Sequence, residues 1–154
     1  GVGGAMRWPV AARITSGFGM RVHPILRFAR MHRGIDFGAH WGTPIVAAGD
    51  GQVIRAGWAG GYGRQVRIAH SGGLASSYSH MSSMAVSPGS IVHQGDVIGY
   101  VGSSGLSTGP HLHFETIRNG QAVDPMGVSF ASRASIDPGQ VSAIRARLRL
   151  LLGR

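Results

Sequence analysis

A chain of 154 residues has room for one domain with a proper core, and its lack of cysteine excludes a disulfide framework and any thiolate metal site. The formal charge is +9 and every basic residue is an arginine. The arginines are scattered, without the aromatic-interleaved basic runs of single-stranded nucleic-acid sites, so no nucleic-acid partner is expected, although a basic surface favours approach to a polyanion such as a cell wall or membrane.

The chain opens at Gly1 with neither an initiator methionine nor a signal peptide, which reads as a fragment or processed form of a longer protein. No apolar run reaches the roughly 20 residues of a membrane span, so membrane contact is expected only through an N-terminal anchor outside this sequence. Residues 1–13 are expected to be an entry segment. Twenty-six glycines and only 14% charged residues then indicate short strands joined by tight turns. Turn punctuation recurs at Ser16-Gly17, Gly49-Asp50-Gly51, Gly60-Gly61-Tyr62-Gly63, Ser71-Gly72-Gly73, Pro88-Gly89 and Gly102-Ser103-Ser104-Gly105. Strands are predicted from Pro44 to Ala47, Gln52 to Trp58, Gln65 to Ala69, Leu74 to His80, Asp96 to Val101 and His111 to Arg118. Asn119-Gly120 is a two-residue hairpin signal that folds the last of these back onto Gln121 to Val123. The expected body is thus an all-β sandwich or barrel-like sheet over 14–130.

Residues 131–154 read as a C-terminal extension. Asp137 as N-cap, Pro138 at the first helical position and Gln140 start a helix over about 138–152. Val141, Ile144, Leu148 and Leu151 make its apolar stripe, expected to dock on its own domain or on a further segment rather than on a membrane surface.

Two half-sites carry chemistry. His111-Leu112-His113 places two imidazoles on one face of a predicted strand, and His32-Arg33-Gly34-Ile35-Asp36 supplies an imidazole and a carboxylate at even spacing. Gly34 and the β-branched Ile35 argue against a helix there, and the helical H-E-x-x-H arrangement is absent. A catalytic zinc takes three protein ligands and leaves a fourth position open, and His32, Asp36 and His113 supply that count. Such a site acidifies water, and an amide leaving group also needs a proton shuttle. His111 and His80 are both candidates for base, acid or oxyanion stabiliser. Glu115 shares the parity of His111 and His113 and is expected to orient an imidazole. Tyr78, Ser107 and Thr108 are candidates for substrate contact, although strand packing and turn formation account for them equally well. His23, His40, His70 and His93 read as surface or hydrogen-bonded residues, and Arg21 as an ion-pair or loop anchor.

Several motifs in fixed order resemble the LytM/lysostaphin-type zinc metallopeptidases of bacterial cell walls. They are Ser16-Gly17-Phe18-Gly19-Met20-Arg21, Met31 to Phe37, Gly42-Thr43-Pro44, Tyr62-Gly63, Tyr78-Ser79-His80-Met81, Gly95 to Gly99, and Ser107 to Glu115. The resemblance implies a lysostaphin-like antiparallel β fold with an open groove, and one zinc per chain held by His32, Asp36 and His113. It also implies that His80 and His111 are the catalytic histidines, and that a zinc-activated water attacks the peptide part of peptidoglycan. Residues 22–30 look like the version in Gram-negative members, which points to an endopeptidase acting on D-alanyl–diaminopimelate bonds in the periplasm or cell envelope.

Two other classes compete. A non-catalytic groove-binding regulator of another wall hydrolase is known among degenerate relatives of such enzymes, but here all five positions are filled. A swinging-arm carrier domain would fit Gly95 to Gly99 alone, yet it needs a lysine and the chain has none.

Overall fold

A computed structural model describes residues 7–22 and 29–128, which form short strands paired antiparallel throughout. In chain order these are β1 (Arg13–Ser16), β2 (Gly19–Val22), β3 (Ala29–His32), β4 (Ile35–Gly38), β5 (Pro44–Val46) and β6 (Gly51–Trp58). They continue with β7 (Arg64–Ala69), β8 (Leu74–Met84), β9 (Ile91–Val92), β10 (Val97–Val101), β11 (His111–Arg118) and β12 (Gln121–Val123). The main sheet runs β1-β4-β11-β8-β7-β6-β9, with β12 on β11 and with β10 bridging β8 to β5. β2 and β3 form a separate two-stranded sheet. The predicted antiparallel β architecture is therefore present. β1 to β4 and β9 were not anticipated, being only two to four residues long. The helix expected over about 138–152 lies outside the described residues, as do His23 and the side chain of Arg21.

The Asn119-Gly120 turn forms as its residue types dictate. Both residues take positive φ, 50° and 82°, and the register Arg118↔Gln121 to Thr116↔Val123 follows from the two-residue loop.

Alternation along β11 and β4 separates core from surface. Leu112 and Phe114, with Ile35 and Phe37, point into the core and are at most 1% exposed. His111 and His113, with Asp36, project from the other face. Phe114 packs its ring 5.3 Å from that of Tyr78 and 6.4 Å from that of Phe37. Each such fully buried side chain contributes on the order of 2 kcal/mol. Ile45, Val66, Ile68, Met81 and Ile98 complete this layer.

β8 is the spine, pairing β11, β7 and β10 along its 11 residues. It was expected to end at His80, but it continues to Met84. The register against β7 slips between Val66↔Tyr78 and Arg64↔Met81, so one extra residue sits on β8. His80 absorbs it with φ of 63°, a left-handed conformation that costs a non-glycine residue about 1 kcal/mol or more. The bulge leaves Tyr78 and Met81 in the core and turns the His80 side chain toward the other face, where it meets His111 and His113.

Candidate metal centre and active site

Asp36 and His113 are register partners on β4 and β11, so their side chains stand side by side on one sheet face. His32 arrives from the end of β3 in the smaller sheet. The chain can turn from β3 into β4 because Gly34 lies against β11. A Cβ there would overlap the Phe114 carbonyl and sit 2.9 Å from Glu115 Cγ. The result is a compact three-residue group: His32 Nε2 lies 3.2 Å from Asp36 Oδ2, and His113 Nδ1 lies 2.7 Å from Asp36 Oδ1. One ligand atom from each residue lies within 4.8 Å of the others, a spacing that could hold a single cation.

The outer nitrogens explain why the inner ones face the carboxylate. His32 Nδ1 is 2.6 Å from the Gly17 carbonyl, to which it donates, leaving Nε2 as the inward lone pair. His113 does the reverse. Its Nε2 is 2.8 Å from Glu115 Oε2 and its Nδ1 points inward. Glu115 is in turn fixed by the Tyr62 hydroxyl, which donates to Oε2 at 2.9 Å. The Tyr62 ring stacks on His113 at 5.9 Å between centroids and 25° between planes. Two imidazoles with their outer nitrogens engaged, plus one carboxylate, are a donor set that suits zinc, so the residues present fit such an ion.

Charge follows from the same contacts. Burial works to lower the His113 pKa, but hydrogen bonds to Asp36 and Glu115 overcome it and raise the value to about 9. Burial likewise pushes Asp36 and Glu115 upward, and the neighbouring His113 more than offsets this, leaving both below the ordinary carboxylate range. Without a metal, a proton on His113 plays the cation between two carboxylates.

His80 and His111 form the second part of the site. Their rings are 4.8 Å apart, and the His80 ring is 6.2 Å from that of His113. Both are held by the 102–109 segment. His80 Nδ1 donates to the Ser104 carbonyl at 2.7 Å, and His111 Nδ1 lies 3.0 Å from the Gly109 carbonyl. Donation from Nδ1 leaves Nε2 of each as a free base. Burial, with the nearby His111 and His113 reinforcing it, lowers the His80 pKa below the usual histidine value. The neutral imidazole is therefore favoured at neutral pH.

The flanking expectations divide. Glu115 touches a candidate ligand directly. Ser107 donates its hydroxyl to the Gly109 carbonyl at 2.7 Å and sits 3.1 Å from His111 Nδ1, so it orients that histidine's loop. Thr108 is exposed on the same loop. Tyr78 needs correction: it is 0% exposed, its hydroxyl accepts from Ala48 N–H at 2.9 Å, and it cannot reach a substrate. Parity places it on the core face, and only the bulge after it brings His80 to the site. Tyr62 entered the sequence reading only within the Tyr62-Gly63 motif and not as a site residue, yet it lines a cleft of about 320 Å³ with Gly61, His80, Leu106 and His113. The available signal was an aromatic residue set among Gly60, Gly61 and Gly63. His70 is hydrogen-bonded as expected, its Nδ1 2.6 Å from the Asp50 carbonyl, while His93 lies 3.9 Å from Asp50.

Comparison with known proteins identifies the family. Residues 30–125 match Peptidase family M23. The chain is 44% identical over 147 residues to the DD-carboxypeptidase/endopeptidase Mpg of Neisseria meningitidis serogroup B, covering 94% of this chain and 34% of that protein. It thus spans about a third of the length of this curated relative. A zinc-containing peptidase from Vibrio cholerae superposes with a TM-score of 0.73 at 35% identity, covering 79% of this chain and 39% of that one. The catalytic domain of lysostaphin from Staphylococcus simulans does so with a TM-score of 0.66 at 36% identity, covering 75% and 90% respectively. On the family match and these identities, the chain belongs to peptidase family M23.

Proposed function

We propose that this chain is a zinc endopeptidase domain that hydrolyses peptide cross-links of peptidoglycan, at D-alanyl–diaminopimelate bonds, in the periplasm or envelope of a Gram-negative bacterium. One arrangement carries the reading. Two imidazoles with engaged outer nitrogens meet on Asp36, and two further imidazoles with free Nε2 atoms stand beside them. His32, Asp36 and His113 would hold the zinc, which supplies Lewis acidity toward a carbonyl and toward water.

The chain's own residues divide the remaining work. His80 on the cleft wall and His111, its ring 4.8 Å away, offer Nε2 atoms, one of which accepts the proton of the attacking water and delivers it to the leaving amide nitrogen. Glu115 keeps His113 in the tautomer whose Nδ1 faces inward. Tyr62 steadies Glu115 and walls the cleft beside His113.

Relatives named as peptidoglycan DD-endopeptidases support the substrate class, among them ShyA of Vibrio cholerae at 36% identity. The test is release of uncross-linked muropeptides from a defined Gram-negative wall, followed by mass spectrometry, with a chelator and with His113→Ala as controls. Cleavage at the D-alanyl–diaminopimelate bond that both controls abolish is expected. Cleavage that survives both would overturn the zinc mechanism.

A further inference from the structure

Beside the candidate centre, the same sheet face carries a cationic strip that the reaction above does not use. Glu115 on β11 pairs with Ser77 on β8, Ser77 with Arg67 on β7, and Arg67 with Arg55 on β6. Successive strands lie about 4.8 Å apart, so Arg67 stands roughly 10 Å from Glu115 across the sheet.

The strip is unbalanced in two independent ways. The Nε of half-buried Arg67 is shielded from solvent and has no hydrogen-bond partner, and the hydroxyl of Ser77 opposite it is likewise buried and unpaired. An Nε–H that loses hydration without gaining a partner is costly, and so is a like charge directly across the ladder. Arg55 is that like charge, tethered through Nη1 to Gln65 Oε1 at 3.1 Å. The nearest carboxylate along the strip, Glu115, is already committed to His113 and Tyr62. Among the described residues, no arginine forms an ion pair within 4 Å; the pairs present join histidines to acids.

An anion that lies along this face would offset the paired charges of Arg67 and Arg55. A substrate that lies across the strands from the neighbouring centre reaches this face, and the cross-link proposed above carries carboxylates on its diaminopimelate residue. We infer that the Arg67 guanidinium, backed by Arg55, is a carboxylate subsite that anchors the diaminopimelate of the peptide substrate. The inference rests on the peptidase reading and makes Arg67 a specificity residue. Arginine suits the task because its planar fork holds a carboxylate by two parallel hydrogen bonds.

The experiment compares cross-linked muropeptides with free diaminopimelate carboxylates against the same muropeptides amidated at those positions. For the wild-type chain, amidation is expected to raise KM about 10- to 100-fold, the worth of a charge-assisted contact, with kcat within about twofold. Arg67→Gln should raise KM for the free form by a similar factor and leave the amidated form unchanged. Arg67→Lys should restore part of the difference. Thermal melts and zinc content confirm that the variants fold. A wild-type chain indifferent to amidation, or an Arg67→Gln loss equal for both substrates, would overturn the inference. Titration calorimetry of both muropeptides against His111→Ala keeps the two questions apart. Absence of cleavage by the wild-type chain counts against the peptidase reading, whereas equal affinity for the two muropeptides overturns the carboxylate subsite.

Discussion

His70 and His113 are both largely buried histidines bridged by two acceptors, and they differ in what those acceptors are. His70 lies between the Asp50 carbonyl and the Ser76 hydroxyl, at 2.6 and 2.7 Å. Ser76 passes the chain on to the Tyr78 hydroxyl at 2.7 Å. All of these partners are neutral, and burial lowers the His70 pKa. His113 lies between two carboxylates, at 2.7 and 2.8 Å, and its pKa rises to about 9. One network satisfies polar groups on the core side. The other creates a position that demands a positive charge. Each ring is bridged between two acceptors, and the charge of those acceptors separates a structural histidine from a candidate ligand.

The contrast can be broken most severely by removing one histidine from each network. His113→Ala is expected to abolish stoichiometric zinc and to lower turnover by at least about 10³-fold, read by elemental analysis and muropeptide release. His70→Gln should keep metal and turnover, and lose on the order of 1–3 kcal/mol in denaturant unfolding. A His70 variant that lost zinc would erase the distinction.

Glu115→Gln is a smaller perturbation of the charged network. Metal affinity should fall about 10- to 100-fold, measured by competition with a chelator, because the outer nitrogen of His113 loses its charged partner. The matching change on the neutral side is Tyr78→Phe, which strands the Ala48 N–H in the core. It should cost about 1–3 kcal/mol of stability with kcat/KM unchanged.

The mildest test is pH. The His113 pKa in the metal-free fold, about 9, lies above its ordinary 6.5. Its contribution to stability is therefore complete below about pH 6.5 and is lost as pH rises through 9. The Tm of the metal-free protein should decline over that window, while zinc affinity increases as the competing proton leaves. His70 has the opposite sign. Its lowered pKa means that stability falls as pH drops below 6.5, and His70→Gln should remove that acid-side loss.

Much of this pattern was legible in the chain. The period of two along His111 to Glu115 correctly put His111, His113 and Glu115 on one face, whereas His32 and Asp36 meet through the turn at Gly34 between two sheets rather than by parity along one strand. Asn119-Gly120 set its hairpin register because the turn demands positive φ at both residues. What was illegible depends on tertiary context. Tyr78 and His80 share parity, so no pattern reveals that one faces the core and the other the site. Only the slip between β7 and β8 shows it. Tyr62 was hidden for a related reason, since a turn between two strands gives no period from which to read its direction.

The two walls beside the cleft carry a consequence for engineering. Leu106 N–H donates to the Gly61 carbonyl at 2.8 Å, and Arg64 N–H donates to Ser104 Oγ at 3.0 Å. Gly63 and Gly105 both adopt positive φ where these segments meet, and a Cβ on Gly63 would overlap Ser104. The 60–64 turn and the 102–107 loop are therefore one clasp, and they make up a single exchangeable module. Chimeras that transplant one half from a relative should misplace His80 through Ser104, whereas a paired transplant carries a new wall without disturbing the floor.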